Sequence, residues 1–160
     1  MNLLPSDIKA FGRAIQLALK AEKQGNLPIG AVISYENKII AEGNNAIWMP
    51  EFNQNRHAEI EALRNVPQSL WQHAHEMTLV TTLEPCLMCF GAILLYGIGR
   101  ILYGAADAYG GASTVIGCLP PFFETQFNKV TWIGPAYPEA CDQLFARAMK
   151  LVEKRGESVP

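Results

Sequence analysis

Three residues that bind soft metal ions and one that moves protons lie in two short stretches, His57-Ala58-Glu59 and Pro85-Cys86-Leu87-Met88-Cys89. One histidine and two cysteines make three ligands for a tetrahedral zinc ion. Three protein ligands leave the fourth position open for water, the pattern of a catalytic rather than a structural zinc. No fourth ligand stands out: Cys118 and Cys141 lie in unrelated contexts and are expected to be buried thiols, and His73 and His75 sit in a polar connection. Cys86 and Cys89 at the start of a helix face the same way, and the helix dipole favours their ionised form. Zinc lowers the pKa of its water from about 15.7 toward 7, which produces a nucleophile at neutral pH. Glu59, two residues after His57, reaches the same pocket without being needed as a ligand, which suits it to proton shuttling.

The elements that must position these groups are legible in the hydrophobic pattern. Ile8, Phe11, Ile15 and Leu19 recur at helical spacing between Ser6, a candidate cap, and Gly25. IGAVISY and KIIAEG, joined by Glu36-Asn37, predict an antiparallel hairpin. Residues 44–56 are polar, contain Pro50 and predict a loop. A second helix runs from His57, in its first turn, to Arg64, since Pro67 forbids continuation. MTLVTTL is a strand; Pro85 has the φ of a first helical position and opens a third helix reaching Tyr96. RILYGA and KVTWIG are further strands. Between them residues 105–128, rich in Gly, Ala, Pro and Phe, predict a long loop with short helical turns or a lid. A last helix from Pro138 to about Arg155 carries Leu144, Phe145, Ala148, Met149 and Val152 on one side. Strands alternating with helices imply a sheet covered on both faces.

A chain of 160 residues suits a single domain, 1–160. Its charged fraction is 18%, below the roughly 25% of an average soluble protein, and its hydrophobic fraction is 49%. The N-terminal MNLLPSDIKAFGRA has no basic segment ahead of an apolar one, so a cytoplasmic location is expected. The longest uncharged run, Cys86 to Gly99, is shorter than the roughly 20 residues of a membrane span, so no membrane is expected. Four cysteines in a reducing compartment argue against disulfides. A net charge of −2 and a pI near 5.9 give no global attraction for phosphates.

HAE at 57–59 and PCLMC at 85–89 resemble the zinc-dependent cytidine/deoxycytidylate deaminase superfamily. LPIGAVI, HAEIEALR, TLEPCLMCFGAI and GRILYGAADAYGGA are similar to its branch of tRNA adenosine deaminases and guanine deaminases, to the former in particular. The resemblance spans Leu27 to Ala112 and continues more weakly to the C-terminus. It implies an α/β fold, three-layer α-β-α with a five-stranded mixed sheet, usually homodimeric. It also implies one catalytic Zn2+ per chain on His57, Cys86 and Cys89, with Glu59 passing protons from water to a ring nitrogen and to the departing amine. Asn45 matches the asparagine that hydrogen-bonds substrate, the backbone N–H groups of Ala58 and Cys86 would touch the base or its attacking oxygen, and Asp107 is kept among the substrate-binding positions. Departures concern RNA binding. Gln54-Asn55-Arg56 replace an acidic-proline-small triplet, Ala106 and Tyr109 stand where arginine and lysine are common, and LFARAMKLVEK replaces a paired phenylalanine and basic helix. Pro28-Ile29-Gly30-Ala31 likewise departs from the guanine branch.

The expected activity is hydrolytic deamination of a nucleobase. The missing charge favours a free base or nucleoside, of guanine, adenine or cytosine type, enclosed by the aromatic segment Tyr109 to Phe127. The alternative is A-to-I editing at a tRNA wobble position, with RNA held by Lys129, Arg147, Lys150, Lys154 and Arg155. A third possibility is a zinc-stabilised binding protein without turnover, against which Glu59 argues. Leu87, Phe90, Leu94 and Leu95 on the third helix are a candidate dimer face.

Overall fold

Glu36 and Asn37 take left-handed backbone angles, φ 47° and 60°, the geometry of a two-residue turn whose twist matches its flanking strands. In the computed structural model, which describes residues 3–156, this turn joins β1 (Gly30–Tyr35) to β2 (Lys38–Asn44) as the expected hairpin. Five strands form one mixed sheet in the order β2-β1-β3-β4-β5. β1 is antiparallel to β2 and to β3 (Thr78–Leu83), whereas β3, β4 (Arg100–Ala105) and β5 (Thr131–Ile133) run parallel. Parallel neighbours need crossovers: α3 (Leu87–Tyr96) joins β3 to β4, and α4 (Pro121–Phe127) precedes β5.

Helices cover both faces. Val32, Val80 and Leu102 pack with Phe11 and Leu17 of α1 (Pro5–Lys23), and α5 (Pro138–Lys154) lies beside α1 on β4 and β3. The intervening residues Ala31, Ile33, Leu79 and Ile101 point the other way, into Ala62 and Leu63 of α2 (Ala58–Arg64) and Ile93 of α3. A strand buried on both faces reads as a continuous apolar run, which is why AVI, LV and IL carry no polar alternation. Each such side chain contributes roughly 1.5–3 kcal/mol.

Asp7 does two jobs. Its Oδ2 accepts the Leu4 N–H at 2.9 Å, and its carboxylate receives both Arg100 guanidinium nitrogens at 2.7 and 2.8 Å, tying the first turn of α1 to the start of β4. Leu4 is therefore the cap and Pro5 the first helical residue, rather than Ser6 capping: Asp7 supplies the acceptor, and proline has no N–H to satisfy. α3 likewise begins at Leu87, and Pro85 lies outside it. Ala112 donates to the Pro85 carbonyl at 3.0 Å and Cys86 pairs with Gly111, which holds both in extended backbone. His57 precedes α2 as its cap, with φ −72° and ψ 154°, instead of sitting in its first turn.

Residues 105–128 are more ordered than a loop. Two short 3-10 turns (Ala112–Thr114 and Ile116–Cys118) lead to α4, whose Phe123 and Phe127 pack with Phe90 and Trp132. Cys118 is exposed, contrary to expectation, because it ends one of those turns on the surface; Cys141 is buried as expected. The outer residues Leu87 and Leu95 of α3 are exposed while Phe90 and Leu94 face the core, so only half of the candidate dimer face is available. Among the described residues no helix is long and apolar enough to cross a membrane.

Candidate active site

Both ligand stretches end up as helix starts, with His57 and Cys86 each held in extended backbone as the cap residue. His57 caps α2, which packs on β2 and β1; Cys86 caps α3, and Cys89 faces inward one turn later. The close approach of α2 to β2 depends on Gly43, where a Cβ would meet the Ala58 carbonyl at 2.1 Å and the Ala62 nitrogen at 2.3 Å. The result brings His57 Nδ1 to 3.5 Å from the Sγ atoms of both Cys86 and Cys89. All three ligand atoms lie within 4.8 Å of one another, and among the described residues no other such group exists. Two sulfurs and one imidazole nitrogen converging without a fourth donor fit a zinc ion with an open position.

The electrostatics suit a cation. Cys86 is held down at about 4, chiefly by the hydrogen bond from Cys89 and also by His57, against the effect of burial. Cys89 is pushed up, first by that shared bond and then by burial. Burial disfavours the His57 imidazolium, but the bond to Cys86 and the charges of Glu59 and Cys86 outweigh it and raise the pKa. Binding of zinc to these groups would displace their protons.

Glu59 is 3% exposed. The Thr81 hydroxyl donates to Oε1 at 3.4 Å, and Oε2 lies 3.5 Å from Cys89 Sγ. Burial raises its pKa, opposed by the charge of His57 and assisted by that of Cys86. A buried carboxyl with a raised pKa beside a metal site is placed to accept and return protons.

These groups open into a cavity of about 850 Å³. His57, Glu59, Cys86 and Asp107 line it. Asn45 is fully buried: its N–H donates to the Ile29 carbonyl, its Oδ1 accepts the Ile47 N–H at 3.3 Å, and its Nδ2 has no partner. Ile29 and Ile47 are both wall residues. An orphaned buried donor costs roughly 1–3 kcal/mol, a cost that a bound acceptor would remove. Ala58 is the first residue of α2, where an N–H has no intrahelical partner. Asp107 Oδ1 is already engaged, accepting N–H bonds from Tyr109 and Gly110 at 2.9 and 3.1 Å, so it shapes its own loop.

Other wall residues escape sequence reasoning. Phe145, Met149 and Val152 of α5 line the cavity, although their helical spacing reads simply as core; Phe52 and Gln54 come from the loop after β2. Of the aromatics between Tyr109 and Phe127, only Tyr109 lines the cavity, because Phe123 and Phe127 are committed to α3. The expected basic patch is also thinner: Arg147 bonds Glu22 at 2.8 Å, and Arg155 lies 3.9 Å over the Trp48 ring.

A family model described as the cytidine and deoxycytidylate deaminase zinc-binding region matches residues 5–105. The tRNA-specific adenosine deaminase of Buchnera aphidicola subsp. Baizongia pistaciae is 36% identical over 143 residues, covering 88% of this chain and 86% of that protein. The enzyme of the same name from Bacillus subtilis is 33% identical over 145 residues, covering 89% and 88%. Among solved structures, one from a study of A-to-I editing by tRNA:A34 deaminases superposes with a TM-score of 0.70 at 27% identity, covering 86% of this chain and 99% of that one. A guanine deaminase from Nitrosomonas europaea shares the fold, with a TM-score of 0.68 at 22% identity over 93% and 87%.

Proposed function

This chain belongs to the cytidine and deoxycytidylate deaminase zinc-binding family, and from that premise we propose that it converts adenosine to inosine in the anticodon loop of a tRNA. It is a zinc-type hydrolytic deaminase; the substrate is the proposed part. The supporting observation is likeness to tRNA-specific adenosine deaminases over nearly the whole chain, at 36% identity across 88% of its length. The preference for a free base or nucleoside rests on missing positive charge, which bears on how RNA is held and not on the reaction. A non-catalytic scaffold has no support from these relatives.

The roles we propose follow from the geometry. His57 Nδ1 and the two cysteine sulfurs would hold zinc, which would supply the Lewis acidity that makes water nucleophilic at neutral pH. Glu59 takes a proton from the attacking water and passes it to N1 of the adenine as the oxygen bonds to C6, then carries the remaining proton of the added hydroxyl to the exocyclic nitrogen, so that the C6–N bond breaks, ammonia leaves and the keto oxygen of inosine remains. Thr81 orients one Glu59 oxygen. Asn45 Nδ2 donates to an acceptor on the nucleoside, and the Ala58 and Cys86 N–H groups donate to the base or to its attacking oxygen. To reach these groups the nucleotide is splayed out of its loop, as single-stranded RNA allows at low cost.

The test is inosine formation by zinc-loaded protein on a synthetic anticodon stem-loop with adenosine at the wobble position, beside free guanine, adenine, cytosine and their nucleosides. Inosine in the stem-loop alone is expected. Deamination of a free base or nucleoside with equal or better kcat/KM would refute the proposal.

A further inference from the structure

Glu84 is a buried carboxylate that the reaction above does not use. It lies between the end of β3 and the cysteine turn, 5% exposed, and its N–H donates to the Ala105 carbonyl at 2.8 Å. Both of its carboxylate oxygens are occupied. Oε2 accepts the Asp107 N–H at 3.0 Å, and Oε1 accepts the Ser113 N–H at 2.8 Å. Between these anchors the chain passes so close that a Cβ on Gly111 would lie 2.4 Å from the Asp107 carbonyl oxygen and 2.5 Å from Glu84 Cδ. The adjoining backbone is joined as well, through Ala112 to Pro85 and Gly111 to Cys86. Residues 107–113 are thereby fastened to the turn that carries Cys86. The fastened loop supplies Asp107, Tyr109 and Gly110 to the cavity wall.

A buried charge is costly unless it is fully hydrogen-bonded, and bonds to a carboxylate are about twice as strong as neutral ones. Closing a loop does not require that; holding its register does. We propose that Glu84 is a positioning residue: it locks the 107–113 loop to the cysteine turn so that the wall meeting the substrate nucleotide stays in register with the metal centre. The lock is a matter of geometry alone, and the kinetic test below rests on the tRNA reading.

Glu84→Gln keeps the size but offers a single acceptor, leaving the Asp107 or Ser113 N–H without a partner. The expected result is unchanged zinc content, KM for the stem-loop raised about tenfold or more, and kcat little altered. Amide exchange should accelerate across 107–113 and not in β3 or α3. Gly111→Ala, which forces the loop off the carboxylate, should raise KM in the same way. An unchanged KM despite a loosened loop would overturn the proposal, as would loss of zinc or a fall in kcat at constant KM. Wild-type exchange is decisive if both variants misfold: Asp107 and Ser113 amides as labile as unbonded loop amides would mean no lock exists. Should the wild type ignore the stem-loop, the tRNA reading fails by itself. The exchange measurement still decides the lock, and KM is then taken on whichever nucleobase substrate the enzyme turns over.

Discussion

The buried Glu59 carboxyl is the group whose loss separates chemistry from metal binding. Glu59→Gln should lower turnover by about 10² to 10⁴-fold with zinc retained by elemental analysis; an active variant would move the proton shuttle to another residue. His57→Ala and Cys89→Ala should instead arrive without metal, and full occupancy in either would remove that residue from the ligand set. Asn45→Ala should raise KM about tenfold or more and also lower the melting temperature, because the buried Ile47 N–H loses its Oδ1 acceptor while Nδ2 is the group left free for substrate. A KM unaffected by that change would exclude Asn45 from substrate binding. The ligands are legible in the sequence because zinc restricts residue type and spacing so strongly. Glu84 and Thr81 are not, since a carboxylate that receives two backbone N–H groups looks in sequence like any other glutamate.

At the level of elements, α2 is positioned by what β2 lacks. Gly43→Ala should push α2 off the sheet, lowering both stability and zinc affinity, because the obstructing atoms are helix backbone at 2.1 and 2.3 Å. Calorimetry with and without zinc would measure both, and a variant with normal metal affinity would show that His57 is positioned independently of this contact. The Asp7–Arg100 pair makes a prediction with a sign. The guanidinium bonds hold the Asp7 carboxyl below its ordinary 3.8, against the effect of burial. The stabilisation is therefore complete above that value and is lost as pH falls through the lower folded pKa. Arg100 is partly exposed, so Asp7→Asn should cost about 2 kcal/mol at pH 7, less than a fully buried pair, and the deficit should shrink in acid. A deficit that is constant with pH would assign the effect to the cap bond from Leu4. Strand and helix types are clear from periodicity, yet helix starts shift by one or two residues, because Asp7 and the Cys86–Gly111 pairing act from outside the local pattern. The α5 stripe is ambiguous for a different reason: a pocket wall and a core face need the same apolar spacing.

Across the whole molecule, each arginine has a partner inside the fold. Arg13 meets Glu42, Arg56 and Arg64 meet Glu61, Arg100 meets Asp7, Arg147 meets Glu22, and Arg155 lies over Trp48. With the six guanidinium groups so engaged and a net charge of −2, phosphate contacts are left to lysines such as Lys129, Lys150 and Lys154. Stem-loop affinity should then fall gently with salt, with a slope shallower than about −3 in log K against log salt, given about −0.7 per phosphate on single strands; a steeper slope would reveal a basic surface on an assembled oligomer. The sheet order has a consequence for metal exchange. The chain carrying His57 leaves β2 at one edge, Cys86 follows β3 at the centre, and β1 separates the two. No local segment can assemble the three ligands, so the protein captures zinc only once the hairpin has docked on the central strand. Metal escape into excess chelator should accordingly be timed by the opening of that docking, which makes the ion a clock for a motion of the sheet rather than of the pocket.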